Sequence, residues 1–152
     1  MIRLSRLTDY AVTLLSLMGK AGCDRLWTAP ELTEKAGLPP PTVAKVLKLL
    51  AKSGIVVAQR GAAGGYRLAK AQKDISIAEI VEAMDGPIAI TDCTEGSAHS
   101  TCNIERICPM SGGWNKVNRA VRKALEDVSL AEMNTLPAHF VIDQLPGEEA
   151  TP

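Results

Sequence analysis

Three of the four cysteines in this 152-residue chain lie close together, at Cys93, Cys102 and Cys108 in the stretch CTEGSAHSTCNIERICPM. Clustered thiols can hold a metal ion or an iron–sulfur cluster, or they can form a disulfide. We expect a cytoplasmic protein, because the apolar N-terminal stretch is too short for a membrane span and no secretory cleavage site follows it. In a reducing compartment this pattern favours metal ligands or reactive thiols over a disulfide. The fourth cysteine, Cys23, is predicted to be an unliganded thiol.

The other polar residues do not form a recognisable catalytic set. The sequence has no Ser/His/Asp arrangement, phosphate-binding loop or paired acid and base. A reactive cysteine without an identified base is not a mechanism. We therefore predict that the protein is not an enzyme and has no small-molecule substrate.

The charges are distributed unevenly along the chain, although the net charge is zero. Residues 1–73 contain twelve Lys and Arg against four Asp and Glu, a net charge of +8, and residues 74–152 contain five against thirteen, a net charge of −8. Between Lys35 and Lys73 there are eight basic residues and no acidic residue. Such a surface is suited to neutralising phosphates, and a solvated basic face is the alternative.

The elements that position these charges begin with three predicted helices. Apolar spacing predicts a first helix from about Ser5 to Lys20. A capping box at Thr28–Glu31 begins a second helix, which ends at Gly37. The third helix follows three prolines and has two faces, one apolar and one basic. The apolar face is formed by Val43, Val46, Leu47 and Leu50, and the basic face by Lys45, Lys48 and Lys52.

A predicted hairpin follows the third helix, with strands at 55–59 and 66–68 around a glycine-rich turn. A helix-turn-helix followed by such a hairpin is a winged helix. The second helix of this motif, here the third helix of the chain, can enter the major groove of double-stranded DNA. Arginines flanking the wing tip can reach phosphates or a narrow minor groove. The candidate DNA-binding residues are Thr42, Lys45, Lys48, Lys52, Arg60 and Arg67.

The C-terminal half is predicted to contain a short helix from Ser76 to Gly86, the cysteine loop and one long helix. Along the long helix, apolar residues alternate three and four apart, at Trp114, Val117, Val121, Ala124, Val128 and Ala131. This seam favours a homodimer, with packing inside the monomer as the alternative. The expected fold is mainly α with a small β wing. Its parts are a winged helix-turn-helix DNA-binding domain at 1–86, a cysteine cluster-binding loop at 87–113, a dimerisation helix at 114–134 and a flexible tail at 135–152.

The chain resembles the Rrf2 family of bacterial winged-helix regulators, which includes the iron–sulfur regulator IscR and the nitric-oxide sensor NsrR. The resemblance covers residues 1–134. It rests on RLSRLTDYAV at 3–12, RGAAGGYRLAK at 60–70, and three cysteines between a short and a long helix. It implies a homodimeric transcriptional repressor of iron–sulfur assembly genes of the SUF type, with a cluster held near the partner's DNA-binding domain and double-stranded DNA as the target.

The resemblance transfers unevenly to individual residues. Cys93, Cys102 and Cys108 match the cluster thiolates of the family in order, although the eight-residue first gap is longer than in IscR-like members. The position of the IscR histidine ligand is occupied by Ser111. Asp9 matches the carboxylate that NsrR-like members donate from the opposite subunit, so it is the first candidate for the fourth ligand. His99 is the second candidate, and the choice between [2Fe-2S] and [4Fe-4S] stays open.

Incomplete thiolate ligation suits a sensor, because a site that leaves one iron to an oxygen or nitrogen ligand is more readily lost than an all-cysteine site. Three cysteines with Asp or His also satisfy tetrahedral zinc, and Asp9 could simply favour the N-terminal end of its helix. The predicted function is a cluster-sensing DNA-binding regulator. The alternatives are a zinc-stabilised winged-helix DNA-binding or interaction module, and a nitric-oxide- or redox-responsive repressor of the same family.

Overall fold

The computed structural model describes residues 3–94, 102, 107–110 and 112–135. In these residues the chain is mainly helical with one small antiparallel sheet, which confirms the predicted fold class. No helix in the described part of the chain has the length and apolar character needed to cross a membrane. The elements are α1 (Arg6–Lys20), α2 (Ala29–Ala36), α3 (Pro40–Lys52), β1 (Val56–Gln59), β2 (Gly65–Leu68), a 3-10 turn (Gln72–Asp74), α4 (Ile77–Asp85), α5 (Gly113–Glu126) and α6 (Leu130–Met133).

Local signals fix the ends of the helix-turn-helix. The Thr28 N–H donates to the Glu31 carboxylate at 2.8 Å, and the Glu31 N–H donates to the Thr28 hydroxyl at 3.3 Å, which completes the predicted capping box. Gly37 ends α2 in the left-handed conformation, with φ +62°, where a glycine is least strained. α3 then begins with Pro40 and Pro41, whose missing N–H groups would have no helical partner in the first turn anyway.

The core of the protein lies between α1, α2, α3 and α4, which together with the wing we call the head. The predicted apolar face of α3 is fully buried there. Because that face is fixed against the core, the basic face of α3 must point outward. Other fully buried core residues are Leu14, Leu15, Met18, Leu32, Ile75, Ile80 and Leu130.

The wing sheet has one more partner than the sequence predicted. β1 and β2 pair with Val56 opposite Leu68 and Gln59 opposite Gly65. Trp27, just before α2, also bonds to Tyr66 through both backbone groups, at 2.8 and 2.7 Å. A Cβ on Gly65 would lie 2.5 Å from the Trp27 carbonyl oxygen, so this approach requires glycine. The wing is thereby joined to the start of the helix-turn-helix.

The C-terminal helix is shorter than predicted. α5 ends at Glu126, and a capping box of Ser129 and Glu132 starts α6. Leu130 is fully buried in the core, and its N–H donates to the Ile75 carbonyl at 2.8 Å. The prediction of one continuous helix over 114–134 is therefore wrong beyond Glu126, because capping and burial of Leu130 turn the chain back to the head. Val128 and Ala131 lie outside α5, and the predicted tail lies outside the described residues after Thr135.

Candidate nucleic-acid interface and cysteine loop

The outward face of α3 is positively charged. Lys45, Lys48 and Lys52 are all exposed. Within the residues that the structure describes, none of these lysines pairs with an acidic side chain. Their charges are therefore available to neutralise phosphates.

Thr42 lies in the first turn of the same helix and is half-buried. Its N–H donates to the Pro39 carbonyl at 3.0 Å, so its backbone is already satisfied. Residues at the N-terminal end of a recognition helix are those that reach base edges. Thr42 lies at that end of α3, and its contact with DNA stays a prediction.

The basic residues around the wing differ in their surroundings. Arg60 is exposed at the tip, while Arg67 is half-buried in β2, and its guanidinium donates to the Leu68 carbonyl at 3.4 Å. Lys70 forms a 2.6 Å ion pair with Glu79 of α4. Desolvation of Glu79 raises its pKa, but hydrogen bonds from Lys70 and Ser76 outweigh it, and the net pKa is lowered. Unlike the lysines of α3, Lys70 is therefore paired with an acidic side chain of the head.

The cysteine loop begins at a contact between α4 and α1. The Asp85 carboxylate accepts hydrogen bonds from the Ser5 N–H at 3.2 Å and from the Thr8 hydroxyl at 2.9 Å. Desolvation opposes ionisation of Asp85, but the bonds from Ser5 and Thr8 outweigh it and lower the pKa of the carboxyl below its ordinary value. The chain therefore enters the loop from a point tied to the start of α1.

Asn118 of α5 holds the next part of the loop. Its side chain is 4% exposed, accepts from the Ile90 N–H at 3.0 Å and donates to the Ile88 carbonyl at 3.0 Å. Sequence reasoning missed this residue, although a signal existed. Asn118 lies four residues after Trp114 and three before Val121, on the apolar side of α5, where an amide needs a partner.

The three clustered cysteines are half-buried and free of disulfides. The Cys93 sulfur lies 3.4 Å from the Thr91 hydroxyl oxygen. Among the described residues, no group of three His, Cys, Asp or Glu side chains converges to hold a metal ion. The structure therefore does not gather Cys93, Cys102, Cys108 and Asp9 at one point of a single subunit. As a donor set the three free thiols fit an iron–sulfur cluster, because thiolates are its usual ligands.

Asp9 is exposed in the first turn of α1 and lines an open cleft of about 680 Å³, together with Asp85 and residues 3–6. Arg3, Leu4 and Asp85 also line a groove of about 550 Å³ that continues along residues 86–91 to α5. The cleft beside Asp9 is thus continuous with the start of the cysteine loop. The alternative ligand His99 and the substituted position Ser111 lie outside the described residues.

The N-terminal part of α5 exposes large apolar side chains. Trp114 is 42% exposed and Val117 is 44% exposed, and Leu4 across the groove is 47% exposed. Val121 is half-buried and lines the same groove. A contiguous exposed apolar surface of this kind marks an interaction site.

The described geometry can be compared with known proteins. Residues 4–135 match the Rrf2 family, described as iron-dependent transcriptional regulators. An rrf2-like HTH-type transcriptional regulator of Rhodobacter capsulatus is 39% identical over 97 residues, which are 62% of this chain and 65% of that relative. An HTH-type transcriptional regulator of Mycobacterium tuberculosis is 27% identical over 155 aligned positions, covering 99% of this chain and 94% of the relative.

Solved structures with the same fold include two regulators. CymR, the global cysteine regulator of B. subtilis, matches with a TM-score of 0.65 and 20% identity over 88% of this chain and 97% of its own. T. potens IscR matches with a TM-score of 0.59 and 24% identity over 87% of this chain and 85% of its own. At these identities the likeness concerns the fold.

Proposed function

Because the chain belongs to the Rrf2 family of transcriptional regulators, we propose that it is a homodimeric DNA-binding repressor controlled by an iron–sulfur cluster on Cys93, Cys102 and Cys108. Membership of this family also makes the chain a regulator rather than an enzyme. The observation that supports the proposal most is the loop itself. It contains three free, half-buried thiols and joins a basic winged-helix head to a helix with an exposed apolar face.

The DNA-binding part of the proposal rests on α3 and the wing. The exposed lysines of α3 and Arg60 provide cations without acidic partners in the described residues, and Thr42 lies at the end of α3 that reaches base edges. Arg67 is the sixth proposed contact. Lysine contacts to phosphate give affinity, whereas contacts near Thr42 and Lys45 give sequence preference.

The homodimer is proposed to form through α5. Trp114 and Val117 are about half exposed in one subunit, although each has a large apolar surface whose burial is favourable. Ending α5 at Glu126 shortens the predicted seam but leaves Trp114, Val117, Val121 and Ala124 on one helix. A two-fold dimer would place two heads on the half-sites of a symmetric operator.

The proposed cluster ligands are the three thiolates, with Asp9 of the partner subunit as the fourth. A ligand from the partner agrees with the finding that Asp9 is exposed and is not grouped with the cysteines of its own subunit. His99 is the second candidate, and either [2Fe-2S] or [4Fe-4S] is compatible with this donor set. When bound, the cluster supplies a removable cross-link that fixes the thiolates relative to one another. The regulated genes are proposed to be those of SUF-type iron–sulfur assembly.

The cofactor is tested with protein purified without oxygen. We expect visible absorbance with iron and acid-labile sulfide, which Cys102→Ala abolishes. Cys23→Ala is the matched control, because Cys23 lies in the head, outside the cysteine loop, and the variant should keep the colour. If the parent protein is colourless and contains zinc, the cysteines form a structural zinc site instead of a cluster site.

Sensing is tested by DNA binding at fixed salt. The parent should bind operator with different affinity when loaded and when cluster-free, because a switch requires two states of different binding free energy. Asp9→Ala should retain a cluster but lose this difference. Equal affinity of the two parent states would refute sensing, even with iron on the thiolates. If nitric oxide removes the cluster and changes operator affinity, the protein is the nitric-oxide-responsive alternative. If the protein represses SUF-type genes, their transcripts should rise when its gene is deleted.

A further inference from the structure

The side chain of Asn118 bonds to the backbone at the beginning of the cysteine loop. Between α4 and Cys93 the described backbone forms neither helix nor strand. Backbone N–H and C=O groups in such a segment need other partners when they are removed from water. Asn118 supplies partners for one group of each kind, the Ile90 N–H and the Ile88 carbonyl, both at 3.0 Å.

Because Asn118 is buried, its two hydrogen bonds to residues 88 and 90 matter for stability. The side chain is 4% exposed, and the neighbouring groove-lining residues of α5 are Trp114, Val121 and Leu125. An amide in such a place is unfavourable unless both its oxygen and its nitrogen are satisfied. Displacing residues 88–90 from α5 would therefore remove a hydrogen-bond partner from both the oxygen and the nitrogen of the buried amide.

A tight turn extends this constraint to the first cysteine. The Thr94 N–H and hydroxyl both donate to the Thr91 carbonyl, at 3.1 and 2.7 Å, and Thr94 is 5% exposed. Cys93 lies inside this turn, with its sulfur 3.4 Å from the Thr91 hydroxyl oxygen. The turn that contains Cys93 therefore follows directly along the chain from Ile90, which is hydrogen-bonded to Asn118 of α5.

We infer that Asn118 is a positioning residue for Cys93, fixing the sulfur relative to α5 before any ligand binds. The role of Cys93 as a ligand rests on the proposed function, whereas its position relative to α5 does not. Cys93 would then be preorganised for ligation, and its connection to α5 would transmit ligation to the proposed dimer helix.

The inference is tested first in reduced, metal-free protein. Asn118→Leu keeps the number and branching of the side-chain heavy atoms but can form neither hydrogen bond. We expect alkylation of Cys93 by iodoacetamide to become about tenfold faster, because local opening of residues 88–94 becomes easier. Alkylation of Cys23 in the same sample should not change. Hydrogen exchange of the Ile90 amide should accelerate by a similar factor.

Two further variants separate positioning from general loss of stability. Asn118→Gln keeps both an acceptor and a donor but displaces them by one methylene, so it should give a smaller acceleration and serves if the leucine variant does not fold. Ile75→Val removes one methyl group from the head core, away from the loop, and should leave Cys93 alkylation unchanged. Equal Cys93 rates in parent and both Asn118 variants would overturn the positioning role.

The loaded protein supplies the second readout. After anaerobic reconstitution, Asn118→Leu should alter the visible circular dichroism of the cluster and lose it several-fold faster in air than the parent or Ile75→Val. A parent that binds no iron and sulfide would refute the proposed function, while the alkylation experiment still decides the placement of Cys93. A parent with a cluster and an Asn118→Leu protein with unchanged dichroism and lifetime would refute only the inference.

Discussion

The basic surface makes a quantitative prediction about the salt dependence of DNA binding. Lys45 and Arg60 are exposed and have no acidic partner in the described residues, so each is expected to contact a phosphate. Each neutralised phosphate contributes about 0.9 to the slope of log affinity against log salt concentration. In a homodimer one substitution removes two such contacts. Lys45→Ala or Arg60→Ala should therefore reduce the magnitude of the slope by about 1.8.

This change of slope is large enough to measure directly. Between about 50 and 200 mM salt, a difference of about 1.8 changes the parent-to-variant affinity ratio by roughly tenfold. Fluorescence anisotropy with operator and unrelated duplexes, at five salt concentrations, gives both slopes. The loss should occur on both duplexes for a phosphate contact, whereas a base contact by Lys45 would affect the operator more strongly.

Lys70→Ala is the matched control for this experiment. It removes the same charge from the same acid-free segment of sequence, but Lys70 is paired with Glu79 at 2.6 Å. Its slope should therefore equal that of the parent. Parent-like slopes for Lys45→Ala and Arg60→Ala would refute the proposed surface. Equal changes in all three variants would show that total charge, rather than the face of α3 and the wing, determines affinity.

Three other perturbations test the remaining parts of the structure. Val121→Glu should make the protein monomeric in sedimentation at micromolar concentration, because it places an unpaired carboxylate in the proposed interface, whereas Ala120→Glu on the exposed side of α5 should remain dimeric; a monomeric parent would contradict the dimer. Leu130→Ala should lower the free energy of unfolding by about 2–5 kcal/mol in a urea titration, because Leu130 is fully buried. Met133 is 55% exposed, so Met133→Ala should change this free energy little. Asp85→Asn should destabilise the protein at neutral pH, and the difference should disappear once the pH has fallen through the lowered pKa of Asp85, because the parent then loses the charge that its hydrogen bonds favour. A destabilisation in urea titrations that does not shrink as the pH is lowered to the acid limit of the folded parent would exclude this role of the Asp85 charge.

The parts of the fold that could be predicted are those encoded by nearby residues. Thr28 and Glu31 satisfy each other's backbone groups, so their spacing alone locates the start of α2. Ser129 and Glu132 form the same motif, but the apolar spacing of the seam continues through it and favoured an unbroken helix. Periodicity shows which residues would share a face if a helix continued, whereas capping and the burial of Leu130 determine where it ends.

The candidate site was less predictable because its contacts join distant parts of the chain. The exposed positions of Lys45, Lys48 and Lys52 follow from the amphipathic pattern of α3. In contrast, Asp85 bonds to Thr8 at a separation of 77 residues, and Asn118 bonds to Ile90 at a separation of 28 residues. No local pattern specifies such pairs. The sequence could identify the three thiols as a set, but the position of each depends on tertiary packing.

The C-terminal end of α5 is attached to the head, which couples the position of this helix to the orientation of the head. The Ile77 N–H donates to the Val128 carbonyl at 2.9 Å, and the Leu130 N–H donates to the Ile75 carbonyl at 2.8 Å, so one end of α5 is anchored to the head. The 14 residues of α5 span about 21 Å at 1.5 Å per residue. Because Arg122 of α5 also pairs with Glu82 of α4, α5 and the head are expected to turn together, and a turn of about 10° around the anchored end would move the other end of α5 by about 4 Å. Conversely, a small displacement imposed at the loop would rotate the head through a small angle, and in a dimer two such rotations would change the distance between the two recognition helices.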